Sequence, residues 1–175
     1  MITKKISVFF CLIFSISTLV FASDESTVIQ KDKHLRVLAE KRGFLIGFAS
    51  YNNFWDEMDT YQQTAKEEFN ILTPENQMKW NMIHPMRKEY DFGPADHHVD
   101  FALKNGMKVH GHALVWHTQL PVWFLSHNWS STELTGILYD HIDKVCGHFK
   151  GKIFVWDVVN EAFEEDGSYR HTIWF

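Results

Sequence analysis

The sequence is poor in cysteine, with 2 among 175 residues, and one of them, Cys11, lies in a segment that reads as removable. Cys146 then stands alone, which excludes an internal disulfide framework for the mature chain. It falls at an apolar position of a helical stretch and reads as a buried, inert thiol. A basic cluster is also lacking. The formal net charge is -5, and Lys and Arg are scattered, so there is no patch to neutralise phosphates and a nucleic-acid partner is excluded. After the first 22 residues no stretch is long and apolar enough to span a bilayer, and there is no internal repeat or low-complexity segment. What remains is the composition of one packed domain: 45% hydrophobic and 22% charged residues. Aromatics reach 15%, with 7 Trp. Flat rings of that number either fill a large core or pave a cleft for sugars, whose C–H faces stack on aromatic planes.

The first residues have the form of a secretory leader. Lys4 and Lys5 give a positive start, residues 6–21 form an apolar run, and Val20-Phe21-Ala22 ends in a small residue. The run is short for a membrane anchor and is interrupted by Ser7, Ser15, Ser17 and Thr18. Cleavage is therefore expected after Ala22, which divides the chain into a signal peptide, 1–22, and a mature part, 23–175. The mature part is expected outside the cytoplasm, extracellular or periplasmic, with no membrane association. Asn128-Trp129-Ser130 is a glycosylation sequon that matters only in a host that glycosylates secreted proteins.

Short apolar runs then alternate with amphipathic stretches. Strands are expected over 44–49, 70–73, 107–115 and 153–156. Helices are expected before Gly43, over 60–69, from Pro94 to Asn105-Gly106, and from Ser130 to Lys150-Gly151. The last helix has the clearest signature: Ser130 and Glu133 form a capping box, and Leu134, Ile137, Leu138, His141, Ile142, Val145 and Phe149 follow at helical spacing. Such alternation predicts an α/β fold with a parallel sheet and right-handed crossovers. Each strand ends in a polar tip: Ser50-Tyr51-Asn52, Glu75-Asn76, His110-Gly111-His112 and Asn160-Glu161. In a parallel barrel the strand C-termini form the active face, so these tips should converge.

Asn160-Glu161 carries the most suggestive chemistry. A glycosidase acid must hold a proton near neutral pH and pass it to the leaving oxygen, although a lone Glu on a loop is ordinarily just a solvated charge. Three longer stretches change that balance: FNILTPENQMKW (69–80), GHALVWHTQLP (111–121) and GKIFVWDVVNEAF (151–163). In order and spacing the chain resembles glycoside hydrolase family 10 from about residue 44 to 175. The resemblance implies a (β/α)8 TIM barrel, of which about the first four β/α units are present, and an endo-1,4-β-xylanase that cleaves internal bonds of xylan with retention. Position by position, Glu161 matches the general acid/base and Asn160 the residue that bonds the sugar 2-hydroxyl. Glu75, Asn76 and Lys79 match the group gripping the next sugar, and His112, Trp116 and Gln119 match residues lining the sugar at the cleavage point. Trp80 and His117 read as residues packed behind the site. His112, Leu114 and Trp116 are expected to alternate along one strand, which points His112 and Trp116 to one face.

Two departures from the family pattern stand out. His110 occupies a position where the family usually has Arg, and imidazole cannot fork onto a carboxylate. The matching nucleophile, a Glu usually preceded by Thr, is not found: the single Thr-Glu pair, Thr132-Glu133, caps a helix. Residues 23–175 alone are thus expected to lack turnover and to leave sheet edges unpaired. The partners implied are xylan or xylo-oligosaccharides, and no metal or organic cofactor is implied. Two rival readings follow from the same residues. His110-Gly111-His112 could be a metal pair, since residues two apart in a strand face one way. Alternatively, the chain could bind xylo-oligosaccharides without cleaving them.

Overall fold

A computed structural model describes residues 33–51 and 59–175. The signal-peptide reading, residues 1–22, and Asn52 lie outside the described residues. Helix α1 (Leu35–Glu40) leads into strand β1 (Gly47–Ser50); α2 (Asp59–Glu68) and β2 (Ile71–Pro74) follow, then the single-turn α3 (Trp80–Ile83) and the longer α4 (Gly93–Lys104). The chain continues through β3 (Lys108–Gly111), α5 (Val122–Leu125), α6 (Ser131–His148) and β4 (Val155–Trp156). All three strand pairings are parallel, in the order β1-β2-β3-β4, with Gly47 opposite Ile71, Leu72 opposite Val109, and Gly111 opposite Trp156. Four sequential parallel strands with helical crossovers are half of the strand complement of a (β/α)8 barrel.

The helices form for the reasons their sequences suggest. Helix α4 starts with Pro94 in its first turn, where the missing N–H costs nothing, and stops before Gly106, whose φ of 66° is left-handed. Its buried positions Ala95, Val99 and Ala102 are spaced by four and three, forming one stripe toward the sheet. Helix α6 carries both halves of its capping box: the Ser130 Oγ accepts from the Glu133 N–H, and the Glu133 carboxylate accepts from the Ser130 N–H at 2.9 Å.

Leu72 and Val109, neighbours on β2 and β3, are fully buried beneath that stripe with Met107, Val145 and Phe149. Each such aliphatic side chain contributes about 1.5–3 kcal/mol on burial. A second cluster of Trp80, Leu120 and Phe124 lies under the loops, closed by Trp123, Trp129 and Trp174. Part of the aromatic richness is therefore core. Along and after β4, Phe154, Val155, Val158 and Val159 are each about half exposed.

Two sequence expectations need correction. The third strand ends at Gly111, not at 115, and the fourth is two residues long. The alternation drawn from His112 to Trp116 along one strand therefore fails, although Val115 still bridges Val159 in parallel fashion. The short α3 and α5 were not expected; both are single turns, too brief to show a helical period.

Candidate functional site

The strand ends bring the polar tips to one face. Glu75 follows β2 directly, with its N–H donating to the Ser50 carbonyl at 3.1 Å at the end of β1. His112 follows β3 and Asp157 follows β4. Gly111 is required between them, because a Cβ there would overlap the ring of Trp156 on the neighbouring strand.

Asn76 is the hub of the first group. Its Oδ1 accepts from Lys79 Nζ at 3.0 Å and from Gln119 Nε2 at 3.3 Å. The Lys79 ammonium lies 4.9 Å from the ring centre of Trp116, a cation–π contact. Burial lowers the Lys79 pKa below its ordinary range, and the Glu75 carboxylate opposes that shift. The Trp116 indole N–H is buried with no acceptor among the described residues. Four sequence-expected residues (Asn76, Lys79, Trp116 and Gln119) thus touch one another, with Glu75 coupled through charge. The His112 ring lies 6.1 Å from the Trp116 ring, so the two do share a site, though not by strand alternation.

Asp157 organises the second group. Its carboxylate is held by His112 Nδ1 at 2.8 Å and by His110 Nε2 at 3.1 Å, and the other His110 nitrogen meets the Thr73 hydroxyl at 3.1 Å. Burial alone would raise the Asp157 pKa; the hydrogen bonds from His112 and His110 outweigh it and hold the carboxyl below its ordinary value. Both imidazoles of the suspected metal pair are therefore turned onto this carboxylate, each spending a ring nitrogen there. His110 fills the place of the usual Arg by bridging Asp157 to Thr73 with one bond to each.

Glu161 sits beyond β4 on a loop with left-handed backbone, φ 53°. Among the described residues the non-glycine residues with positive φ are Gln119 and Glu161, both expected site residues. Such backbone costs about 1–3 kcal/mol and concentrates where a side chain must be aimed. Arg170 supports the loop: its Nε donates to the Glu161 carbonyl at 3.1 Å, and its own N–H donates to the Ala162 carbonyl at 2.9 Å. Glu161 Oε2 stands 3.7 Å from His117 Nε2. Asn160 is anchored by its N–H to the Val115 carbonyl at 2.8 Å. Asn160, Glu161, His117 and Trp174 line one cleft of about 420 Å3. Trp80, fully buried and donating to the Leu114 carbonyl at 2.6 Å, is core, as expected. Asp157 and Arg170 were missed. Asp157 lies inside a quoted motif but takes its partners from β3, and nothing in the local sequence marks Arg170.

The chain matches the family model described as glycosyl hydrolase family 10 over residues 34–175. It is 56% identical over 147 residues to an endo-1,4-β-xylanase B of Thermotoga neapolitana, a match covering 83% of this chain and 42% of that protein. A β-1,4-xylanase of Dictyoglomus thermophilum is 52% identical over 117 residues. Among solved structures, native xylanase 10B from Thermotoga maritima superposes with a TM-score of 0.78 at 55% identity, over 81% of this chain and 44% of that one. Xylanase 10B from Thermotoga petrophila, solved with xylobiose, gives the same values. The chain spans less than half the length of these relatives.

Proposed function

The chain belongs to glycosyl hydrolase family 10, and from that premise we propose that it provides the acid/base half of an endo-1,4-β-xylanase active site. The observation that supports this best is the run of contacts from Glu161, in left-handed backbone braced by Arg170, to His117 at 3.7 Å and from the His117 ring to Trp116, which joins the Asn76–Lys79–Gln119 group. In this reading Glu161 gives its proton to the leaving sugar oxygen and later takes one from water. Asn160 bonds the 2-hydroxyl of the sugar at the cleavage point, where the bond tightens as the ring acquires oxocarbenium character. His112, Trp116 and Gln119 line that sugar; Glu75, Asn76 and Lys79 grip the next one. His110, His112 and Asp157 fix one another so that the His112 ring keeps its orientation.

Retention requires a second carboxylate roughly 5–5.5 Å from the first. We assign that nucleophile to the barrel strands beyond β4. Residues 23–175 taken by themselves should then release no reducing sugar from xylan, while keeping affinity for xylo-oligosaccharides through the grip residues. The leader-like residues 1–22 support export before the enzyme meets its polymer. The test is NMR of fresh digests of xylohexaose by the closed barrel. Retention predicts that the β-anomer of the new reducing end appears first; the α-anomer first, or no cleavage, would refute the proposal.

A further inference from the structure

A hollow of about 290 Å3 opens on the outer side of α6, between that helix, the turn after α3 and Trp123 of α5. None of the residues lining it lines the cleft of Glu161. From α6 it receives Glu133, Gly136, Ile137 and Asp140, which fall on one stripe of the helix. The opposite side is made by Arg87 and by His84, which is itself buried.

The polar groups here are held in place before any ligand arrives. Asp140 is fixed by the Tyr90 hydroxyl at 3.2 Å and by Lys144 Nζ at 2.6 Å. Glu133 is fixed by the Ser130 N–H at 2.9 Å and hydroxyl at 2.7 Å. The Arg87 guanidinium stacks 4.9 Å from the Trp129 ring. The Trp123 indole is partly exposed and cannot turn freely, because its N–H donates to the His84 carbonyl at 3.0 Å. Each carboxylate retains unused lone pairs, and the guanidinium has donors to spare. A flat ring with fixed acceptors on one side and a donor on the other suits a neutral polyhydroxylated ring. It suits a phosphate poorly, because two carboxylates face it.

Gly136 adds an independent indication. It lies inside an 18-residue helix, where glycine is a poorer choice than alanine. A Cβ built on it meets no atom within 4 Å, so helix packing does not demand the glycine. Keeping that wall bare leaves room for a ligand to approach the helix backbone closely.

We propose that this hollow is a second, non-catalytic site for one xylopyranose unit of the xylan chain, stacked on Trp123 and hydrogen-bonded by Glu133, Asp140 and Arg87. The proposal rests on the xylan reading of the main site. A hollow at the small end of ligand pockets holds a single ring weakly. Tethering the same polymer at two places multiplies the effect by raising the local concentration of chain at the cleft.

The test is migration of the full chain through native gels containing increasing soluble xylan, with dextran as the control polymer. The variants are Gly136→Gln, whose side chain fills the hollow, and Arg87→Ala, which removes the opposing donor without touching α6. Asn76→Ala, in the Asn76–Lys79–Gln119 group, is the comparison. Both hollow variants should raise the apparent Kd for xylan at least threefold, with Gly136→Gln melting no lower than wild type. Wild-type retardation in both hollow variants, with loss only in Asn76→Ala, would overturn the second site and leave the main reading intact. No retardation of the wild-type chain by xylan would overturn both.

Discussion

Replacing His141 by phenylalanine should make the stability of the folded protein less sensitive to acid, and the size of that change can be worked from the hydrogen bonds around it. His141 is fully buried and stacked on Trp80 with ring centres 3.8 Å apart. Its neighbour His84 donates from Nε2 to the Arg87 carbonyl at 3.1 Å, which leaves His84 Nδ1 as an acceptor. The bond between the two Nδ1 atoms, 3.4 Å, must then use the His141 proton. His141 Nε2 remains bare and buried, with no partner among the described residues. A second proton on this ring would have no acceptor. Burial, reinforced by the nearby His84 and opposed by Asp140, pushes its pKa from 6.5 down to about 3. Tyr90 and Lys144 complete the polar surroundings, meeting one another through Asp140.

The sign follows from linkage. The unfolded chain takes up a proton near 6.5 and the folded one does not until about 3, so stability present above 6.5 is lost as the pH falls below it. The loss from this one group amounts to about 1 kcal/mol near pH 5.5 and about 3 kcal/mol near pH 4.5. Phenylalanine keeps the stacking and cannot be protonated. It strands His84 Nδ1 without a donor, so the variant should be less stable at neutral pH by about 1–3 kcal/mol. Urea unfolding followed by tryptophan fluorescence at about pH 7.5 and 4.5 measures both effects. Wild type should lose roughly 2–3 kcal/mol more than His141→Phe between the two pH values. Equal losses would refute the assignment of a neutral, buried His141.

Ser130→Ala removes the side-chain cap of α6 and should cost about 1 kcal/mol, seen as a melting temperature lower by about 2–4 °C; an unchanged melting temperature would contradict the capping geometry. His110→Arg should raise the melting temperature by about 2 °C, because a guanidinium can fork onto the Asp157 carboxylate where imidazole makes one bond. A fall would show that the lost bond to Thr73 matters more. Gly111→Ala should prevent stable folding, since its Cβ would displace the Trp156 ring from β3; soluble, native-like protein by circular dichroism would count against that packing.

The existence and order of the strands were legible because each is a short apolar run between turn signals, and Gly43, Gly106 and Gly151 marked helix ends with backbone only glycine takes easily. Strand ends were not legible. Residues 112–115 are as apolar as the strand before them, yet β3 stops at Gly111, where long-range pairing and not local composition decides. The capping box of α6 was readable because both partners lie within one turn. In the site, Asn76 and Lys79 were grouped through the family resemblance, and the structure bonds them. Gln119 reaches Asn76 across 43 positions and Asp157 meets His112 across 45, and no local pattern encodes such contacts. The role of Arg170 was invisible for a related reason: it acts through the backbone carbonyl of Glu161, and a carbonyl leaves no trace in the sequence.

The most direct test of the central claim, that Glu161 is the acid/base, is a comparison of two leaving groups in Glu161→Gln within the closed barrel. Cleavage of xylan needs a proton on the departing sugar; release of dinitrophenolate from an aryl xylobioside does not. Xylan turnover should fall by about 10²–10⁴-fold while the initial burst of dinitrophenolate persists. Equal losses on both substrates, or undiminished hydrolysis of xylan, would contradict it.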